Sequence, residues 1–104
     1  MAIVKLSPSA IKDLQEIKTY ISDDLSNPIA AERTVKQIMD DYMLLEVSPY
    51  MGPSLSVIIH IETDFRYLVS GSHIIFYKAN DENVLIYRIL NGRMDYLKIL
   101  FGEL

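Results

Sequence analysis

Cysteine is absent from this chain of 104 residues, and histidine occurs only twice. Without cysteine there is no disulfide, no thiol nucleophile and no thiolate metal site. The two histidines, His60 and His73, do not form the H-x-x-H or H-E-x-x-H spacing of a zinc site. We therefore expect neither a metal site nor a cofactor.

Long apolar runs are also missing, and no stretch reaches the length that spans a bilayer. Residues 1–5 lack the charged region and long apolar run that begin a secretory signal. Glycine and proline number four each, and 50% of the residues are hydrophobic, which indicates a folded chain rather than a disordered one. These features predict one cytoplasmic domain over residues 1–104, with no membrane partner.

Positive charge is scarce, and the formal net charge is −4. Residues 1–64 hold five basic and ten acidic side chains, whereas residues 65–104 hold five basic and four acidic ones. An acidic chain is poorly suited to neutralising many phosphates, so we expect no direct DNA binding.

Two helices are predicted in the first half of the chain, after a short strand at residues 2–6. Ser7-Pro8 and Asn27-Pro28 each pair a capping side chain with a proline suited to the first helical position. Apolar residues follow at helical spacing: Ile11, Leu14, Ile17 and Ile21 in the first helix, and Ala31, Val35, Ile38, Tyr42 and Leu45 in the second. This pattern is typical of two amphipathic helices joined as an antiparallel hairpin.

Three β-rich runs fill residues 65–90 and predict an antiparallel meander. Gly71-Ser72 and Asp81-Glu82 are the expected turn centres. The first turn then pairs Arg66 with Tyr77, Leu68 with Ile75, and Ser70 with His73. The second pairs Ala79 with Val84, Tyr77 with Ile86, Ile75 with Arg88, and His73 with Leu90.

This register divides the side chains between two faces, because alternate residues of a strand point in opposite directions. The first face is apolar apart from Lys78: Phe65, Tyr67, Val69, Ile74, Phe76, Leu85, Tyr87 and Ile89. The second is mixed: Arg66, Leu68, Ser70, His73, Ile75, Tyr77, Val84, Ile86, Arg88 and Leu90. We expect the helical hairpin to cover the apolar face and leave the mixed face for function.

Two segments flank the meander. Residues 55–61 are apolar and fit either a strand or helical turns, so the state of the stretch before the meander stays open. Residues 94–101 favour a short terminal helix over an added strand. The fold class is therefore α+β, in the order β-α-α-β-β-β, with a short helix at the C-terminal end.

The stretches FRYLVSG, IIFYKA and VLIYRILNGRMDYLKILF, in this order, resemble the C-terminal half of RelE/ParE-family toxins of bacterial type II toxin–antitoxin modules. The stretch KLSPSAIKDLQEIKTYI resembles the opening strand and first helix of that family. The resemblance implies a compact toxin that inhibits growth and is neutralised by a cognate antitoxin.

Two biochemical classes share the fold, so the fold alone does not choose between them. RelE-like members are ribosome-dependent mRNA endonucleases, and that reading would use His73, Arg66, Arg93 and Tyr96. In this chain Asn91 stands where many relatives have a histidine, and residues 55–64 lack the expected basic cluster. Asparagine cannot exchange a proton, which removes one acid or base candidate.

We therefore expect a ParE-like toxin that binds a protein target, with DNA gyrase favoured by the resemblance. The alternatives are a nuclease that acts on the ribosome and mRNA, and a decayed toxin that only binds a partner. The expected partner-binding residues are those of the mixed face and its C-terminal neighbour: Arg66, His73, Tyr77, Arg88 and Arg93. The antitoxin would pair with a sheet edge and lay a helix across apolar surface.

Overall fold

The structure, a computed structural model, describes residues 1–102. Both predicted helix starts are present. Ser7 Oγ accepts a hydrogen bond from Ala10 N at 3.0 Å, and Asn27 Oδ1 accepts one from Ala30 N at 3.1 Å. The resulting helices are α1 (Pro8–Thr19), followed by a π-helical turn (Tyr20–Asp24), and α2 (Pro28–Met43), followed by a 3₁₀ turn (Leu44–Glu46).

The sheet has four strands in the order β1-β4-β3-β2. They are β1 (Ile3–Leu6), β2 (Arg66–Ser70), β3 (His73–Ala79) and β4 (Asn83–Asn91). The last three form the predicted antiparallel meander, while β1 joins β4 in parallel. Gly71 has φ of +58°, as the tight turn between β2 and β3 requires.

The register of the meander is confirmed except beyond a bulge in β4. All three predicted β2–β3 pairs are present, and so are the two β3–β4 pairs nearest the second turn. A shift at Phe76/Tyr77 leaves Tyr87 without a partner in β3. Ile75 therefore pairs with Ile89 instead of Arg88, and His73 pairs with Asn91 instead of Leu90. The two predicted pairs are wrong because one extra residue moves every later side chain to the other face.

The hairpin covers the face that we expected to remain open, so that prediction is wrong. Its core combines the α2 stripe with sheet residues of the expected mixed face: Ala2, Ala10, Ile38, Tyr42, Leu45, Ile75, Tyr77, Val84, Ile86 and Ile89. The charges expected on that face do not prevent its burial, because Arg88 is paired and Arg66 lies at the edge strand. The bulge adds a further apolar residue, Ile89, to the buried side.

Two short helices pack on the opposite face. They are α3 (Ser56–Ile59), which settles the open segment before the meander, and α4 (Tyr96–Phe101), the expected terminal helix. The second core, beneath α3 and α4, has as its buried residues Leu55, Phe65, Phe76 and Leu90. The α+β class and the hairpin-on-sheet arrangement are thus confirmed, with both faces of the sheet occupied. No helix within residues 1–102 is long and apolar enough to cross a membrane.

The loop before α3 is held against the sheet by a buried hydrogen bond. Gly52 N donates to Tyr77 Oη at 2.9 Å, and Arg66 Nη1 donates to Gly52 O at 2.7 Å and to Tyr50 O at 3.2 Å. A Cβ atom at position 52 would lie 2.4 Å from Tyr67 O and 2.6 Å from Tyr77 Oη. Only glycine therefore fits between the loop and β2.

We expect Gly52→Ala to lower the free energy of unfolding by about 1–3 kcal/mol, because the added methyl group overlaps backbone and a buried ring. Gly92→Ala is the matched control, since the nearest atom to its Cβ is 3.5 Å away. Urea unfolding should leave the control within about 0.5 kcal/mol of the parent chain. Equal stabilities of the two variants would contradict the close packing at Gly52.

Candidate functional site

A buried carboxylate on α1 connects the helical hairpin to β4. Asp13 is 6% exposed, and its oxygens accept hydrogen bonds from Arg88 Nε and Nη2, both at 2.8 Å, and from Ile89 N at 2.9 Å. The two guanidinium contacts form a bidentate pair, the strongest arrangement for arginine and a carboxylate. The hydrogen bond to Asp13 raises the pKa of Arg88 against the opposing effect of burial.

The bulge explains why α1 presents polar side chains here. A bulge interrupts the ladder and frees backbone groups that must find other partners. Ser7 Oγ donates to Tyr87 O at 2.7 Å, and Asp13 accepts from Ile89 N. The helix therefore satisfies the backbone on both sides of Arg88, which fixes α1 over this part of β4.

A cleft adjoins this pair. It has a volume of about 540 Å³ and lies between the C-terminal end of α1, the π-helical turn and the ends of β3 and β4. We call it the α1–β4 cleft. The larger part of its wall area is apolar, and its polar members are Asp13, Glu16, Ser72, His73, Arg88 and Asn91. A concave apolar site with a few polar groups is the usual form of a binding pocket.

Exposed apolar side chains surround the α1–β4 cleft. Tyr20 is 54% exposed, Leu25 55% and Met94 45%, and all three line it. The π-helical turn supplies Tyr20 and Ile21, and such turns are frequent at functional sites. The cleft and its rim can accept apolar side chains of another molecule.

His73 forms part of the cleft wall and is only 9% exposed. Burial lowers its pKa from the ordinary value of 6.5, because a desolvated imidazolium is disfavoured. The charged side chains that share its clefts are Asp13 and Glu16 from α1, Arg88 from β4, and Arg33 from α2. His73 is therefore predominantly neutral at neutral pH.

The remaining predicted site residues lie elsewhere. Arg66 binds the carbonyls of the loop before α3, and Tyr77 is fully buried, which removes it as a surface contact. Arg93 is exposed after β4 and its backbone N–H donates to Asn91 Oδ1 at 2.9 Å. The structure thus brings together His73 and Arg88, and it separates them from the other predicted partner contacts.

The four residues of the nuclease alternative do not share a site. Tyr96 stacks on Phe76 with ring centroids 5.2 Å apart, on the face beneath α4. His73 lies on the opposite face, beside the hairpin, and the Arg66 guanidinium is bound to backbone carbonyls. A general acid, a general base and a phosphate-binding arginine must converge on one atom, and this set does not. Within residues 1–102 no cluster of three or more histidine or acidic residues is placed to hold a metal ion.

Sequence reasoning missed Asp13, although the chain contains a signal for it. Ala10 and Asp13 are the buried residues of α1, with Leu14 and Ile17 packed beside them, whereas Ile11 is 47% exposed. The inward face of α1 therefore keeps Leu14 and Ile17 of the predicted stripe, but it has Ala10 in place of Ile11 and includes Asp13. An acidic residue on the stripe at helical spacing from Ala10 and Ile17 indicates a buried ion pair.

Asp13→Ala should lower the free energy of unfolding by about 2–4 kcal/mol, because Arg88 and the Ile89 N–H lose their acceptor. Asp13→Asn retains one oxygen acceptor and should cause a smaller loss. The surface control is Lys12→Ala, whose side chain is 74% exposed, with a change within about 0.5 kcal/mol. Denaturant unfolding measures all three, and equal losses for Asp13→Ala and Lys12→Ala would contradict the role of the pair.

His73 should make stability depend on pH. The unfolded chain takes up a proton near pH 6.5, while the folded chain takes it up only at the lowered pKa. Stability is therefore lost as pH falls through about 6.5, the pKa of the unfolded chain, and His73→Gln should reduce this loss. His60→Asn is the control, since His60 is exposed and has φ of +56°, a conformation that asparagine tolerates. An unchanged slope in His73→Gln would contradict the prediction.

Comparisons with known proteins agree with this architecture. The family described as "ParE toxin of type II toxin-antitoxin system, parDE" matches residues 4–96. A solved chromosomal ParDE toxin–antitoxin system from P. aeruginosa is similar with a TM-score of 0.72 and 20% identity, covering 88% of this chain and 96% of that chain.

Two crystal structures of YafQ from E. coli, one of them a mutant, match with a TM-score of 0.48. Their identities are 16% and 15%, and each match covers 98% of this chain and 100% of the YafQ chain. No curated protein sequence matches at a significant level. The family match spans nearly the whole chain, and the fold agrees with that of the ParDE structure. The chain therefore belongs to the ParE toxin family of type II toxin–antitoxin systems.

Proposed function

We propose that this toxin stops growth by binding a protein target, DNA gyrase, and that a cognate antitoxin holds it inactive inside the cell. The observation that carries the proposal is the separation of His73 and Tyr96 on opposite faces of the sheet. His73 and Tyr96, two of the four residues of the nuclease alternative, therefore cannot act on one atom. A toxin that binds a protein target needs no such convergence.

The acidic balance of the chain also favours a protein target. The net charge is −4, and the α1–β4 cleft includes two carboxylates, Asp13 and Glu16. A ribosomal nuclease must approach a dense array of RNA phosphates, and its affinity depends on basic residues. An apolar rim with few free charges is suited to a protein surface instead.

Two features of the surface support the proposed antitoxin contact. β1 is an outer strand of the sheet, Ala2 N is bonded to Glu46 O, and Ile3 is 58% exposed. Beyond the Ala2–Glu46 contact, the outer edge of β1 can accept an extended segment by strand addition. Leu25 and Ile29, 55% and 71% exposed, lie where the π-helical turn meets α2 and offer apolar surface to a helix.

Induced expression without antitoxin should arrest bacterial growth, trigger a DNA-damage reporter and leave mRNA uncut by primer extension. Co-expression of the small protein encoded beside the toxin gene should restore growth. Purified toxin should inhibit supercoiling by gyrase. Cuts inside translated codons would instead establish the nuclease alternative, and no arrest would leave a decayed toxin that only binds a partner.

Two matched variants make the expression experiment sharper. Tyr96→Phe removes the hydroxyl group that a nuclease would use and keeps the ring stacked on Phe76, so arrest should persist. Gly52→Ala should weaken arrest through loss of fold, whereas Gly92→Ala should not. Loss of arrest in Tyr96→Phe, with a stable fold, would count against the proposed target.

A further inference from the structure

A second cleft lies between α2 and the turn that joins β2 to β3. It has a volume of about 360 Å³, and we call it the α2–turn cleft. Its lining combines side chains of α2 with the residues of the turn: Arg33, Thr34, Gln37, Ile38, Ser70, Gly71, Ser72 and His73. No acidic residue lines it, in a chain that has 14 acidic residues.

The absence of carboxylates distinguishes this cleft from its neighbours within residues 1–102. The α1–β4 cleft includes Asp13 and Glu16, the cleft beside Lys18 includes Glu32 and Asp40, and the one beside Tyr50 includes Asp64. Those three clefts also contain basic side chains, but in each of them an anion would meet at least one carboxylate. In the α2–turn cleft it would meet a guanidinium, hydroxyl groups and backbone N–H groups.

The main hydrogen-bond donors of this cleft have no other partner in the described part of the chain. Arg33 forms no salt bridge or side-chain hydrogen bond there, and neither Gly71 N nor Ser72 N donates a hydrogen bond. Gln37 is the exception, because its Nε2 donates to Asp41 Oδ1 at 3.0 Å.

Ser70 supplies an independent observation. The residue is 3% exposed, and its Oγ is buried without a hydrogen-bond partner among residues 1–102. A buried hydroxyl group without a partner is costly, and such groups in native structures call for an explanation. Ser70 is one of the residues that line the α2–turn cleft, so its hydroxyl group is a candidate donor to a ligand there.

We propose that the α2–turn cleft binds the carboxylate of an acidic peptide segment, with Arg33, the turn amides and Ser70 as its donors. One fixed positive charge matches one carboxylate, because His73 is predominantly neutral at neutral pH. Arginine and backbone N–H groups are the preferred donors to a carboxylate. The inference rests on the proposed function only in assigning that segment to the antitoxin.

The test uses the purified full chain and synthetic probes, so its result does not depend on growth arrest. Acetate and the peptide acetyl-Gly-Glu-Gly-amide should each shift the Gly71 and Ser72 amide resonances in a saturable manner and compete with each other. The same peptide with glutamine in place of glutamate should not bind. Binding of acetate alone would limit the site to free small carboxylates and overturn the peptide assignment.

Variants identify the donors. Arg33→Gln should weaken binding of the glutamate peptide about tenfold, because a charge-assisted hydrogen bond is lost. Lys36→Gln is the control on the same helix, since Lys36 is paired with Asp40 at 2.7 Å and does not line the cleft. Ser70→Ala should weaken binding while leaving stability unchanged or higher, because it removes a hydroxyl that has no partner.

Three further outcomes would overturn the proposal. They are shifts that do not saturate, equal affinities in Arg33→Gln and Lys36→Gln, and binding of inorganic phosphate without binding of acetate. Arg33 is exposed, so its substitution should leave the fold intact, and unfolding by urea checks this in each variant. Lower stability with unchanged binding in Ser70→Ala would assign the hydroxyl a packing role and exclude it from the site.

Discussion

The Asp13 carboxylate determines how the two layers of this protein meet. It occupies three donors, two on Arg88 and one on the backbone of Ile89, at the point where β4 departs from regular pairing. Without it, the bulge would leave a buried N–H group and an arginine facing the hairpin. With it, α1 is fixed over β4, and the α1–β4 cleft opens between that helix and the strand ends. The bulge, the Asp13–Arg88 ion pair and the α1–β4 cleft therefore depend on one another.

Local signals in the sequence were enough to predict the elements but not the face that each one covers. The caps at Ser7 and Asn27, the α2 stripe and the Gly71 turn depend on neighbouring residues, and all are present. The bulge depends on long-range contacts between α1 and β4. The spacing of apolar residues along the sequence does not reveal such contacts. One displaced residue in β4 exchanged Ile89 and Leu90 between the faces. The expected functional surface became core because the hairpin packs against Tyr77, Val84 and Ile86, whose pairing was predicted correctly.

The candidate site shows the same contrast between local sequence signals and long-range contacts. His73 and Arg88 are polar side chains predicted on the mixed face, and the structure places both in one cleft wall. Tyr77 is predicted on the same face, yet its hydroxyl group accepts a hydrogen bond from Gly52 N and holds a loop. A polar side chain in a strand can equally bind the backbone of its own chain. Only the three-dimensional contacts distinguish the two uses.

The pairing of β1 with β4 joins the first strand of the chain to the last. Since ribosomes release the chain from its N-terminal end, α1 and α2 emerge long before the strand against which α1 packs. The hairpin alone exposes its apolar stripes, because Tyr77, Ile86 and Ile89 lie in the C-terminal half. Folding is therefore governed by contacts distant in sequence, which slows closure of the sheet. The surface formed by α1 and β4, including the α1–β4 cleft, is therefore complete only after β4 has left the ribosome.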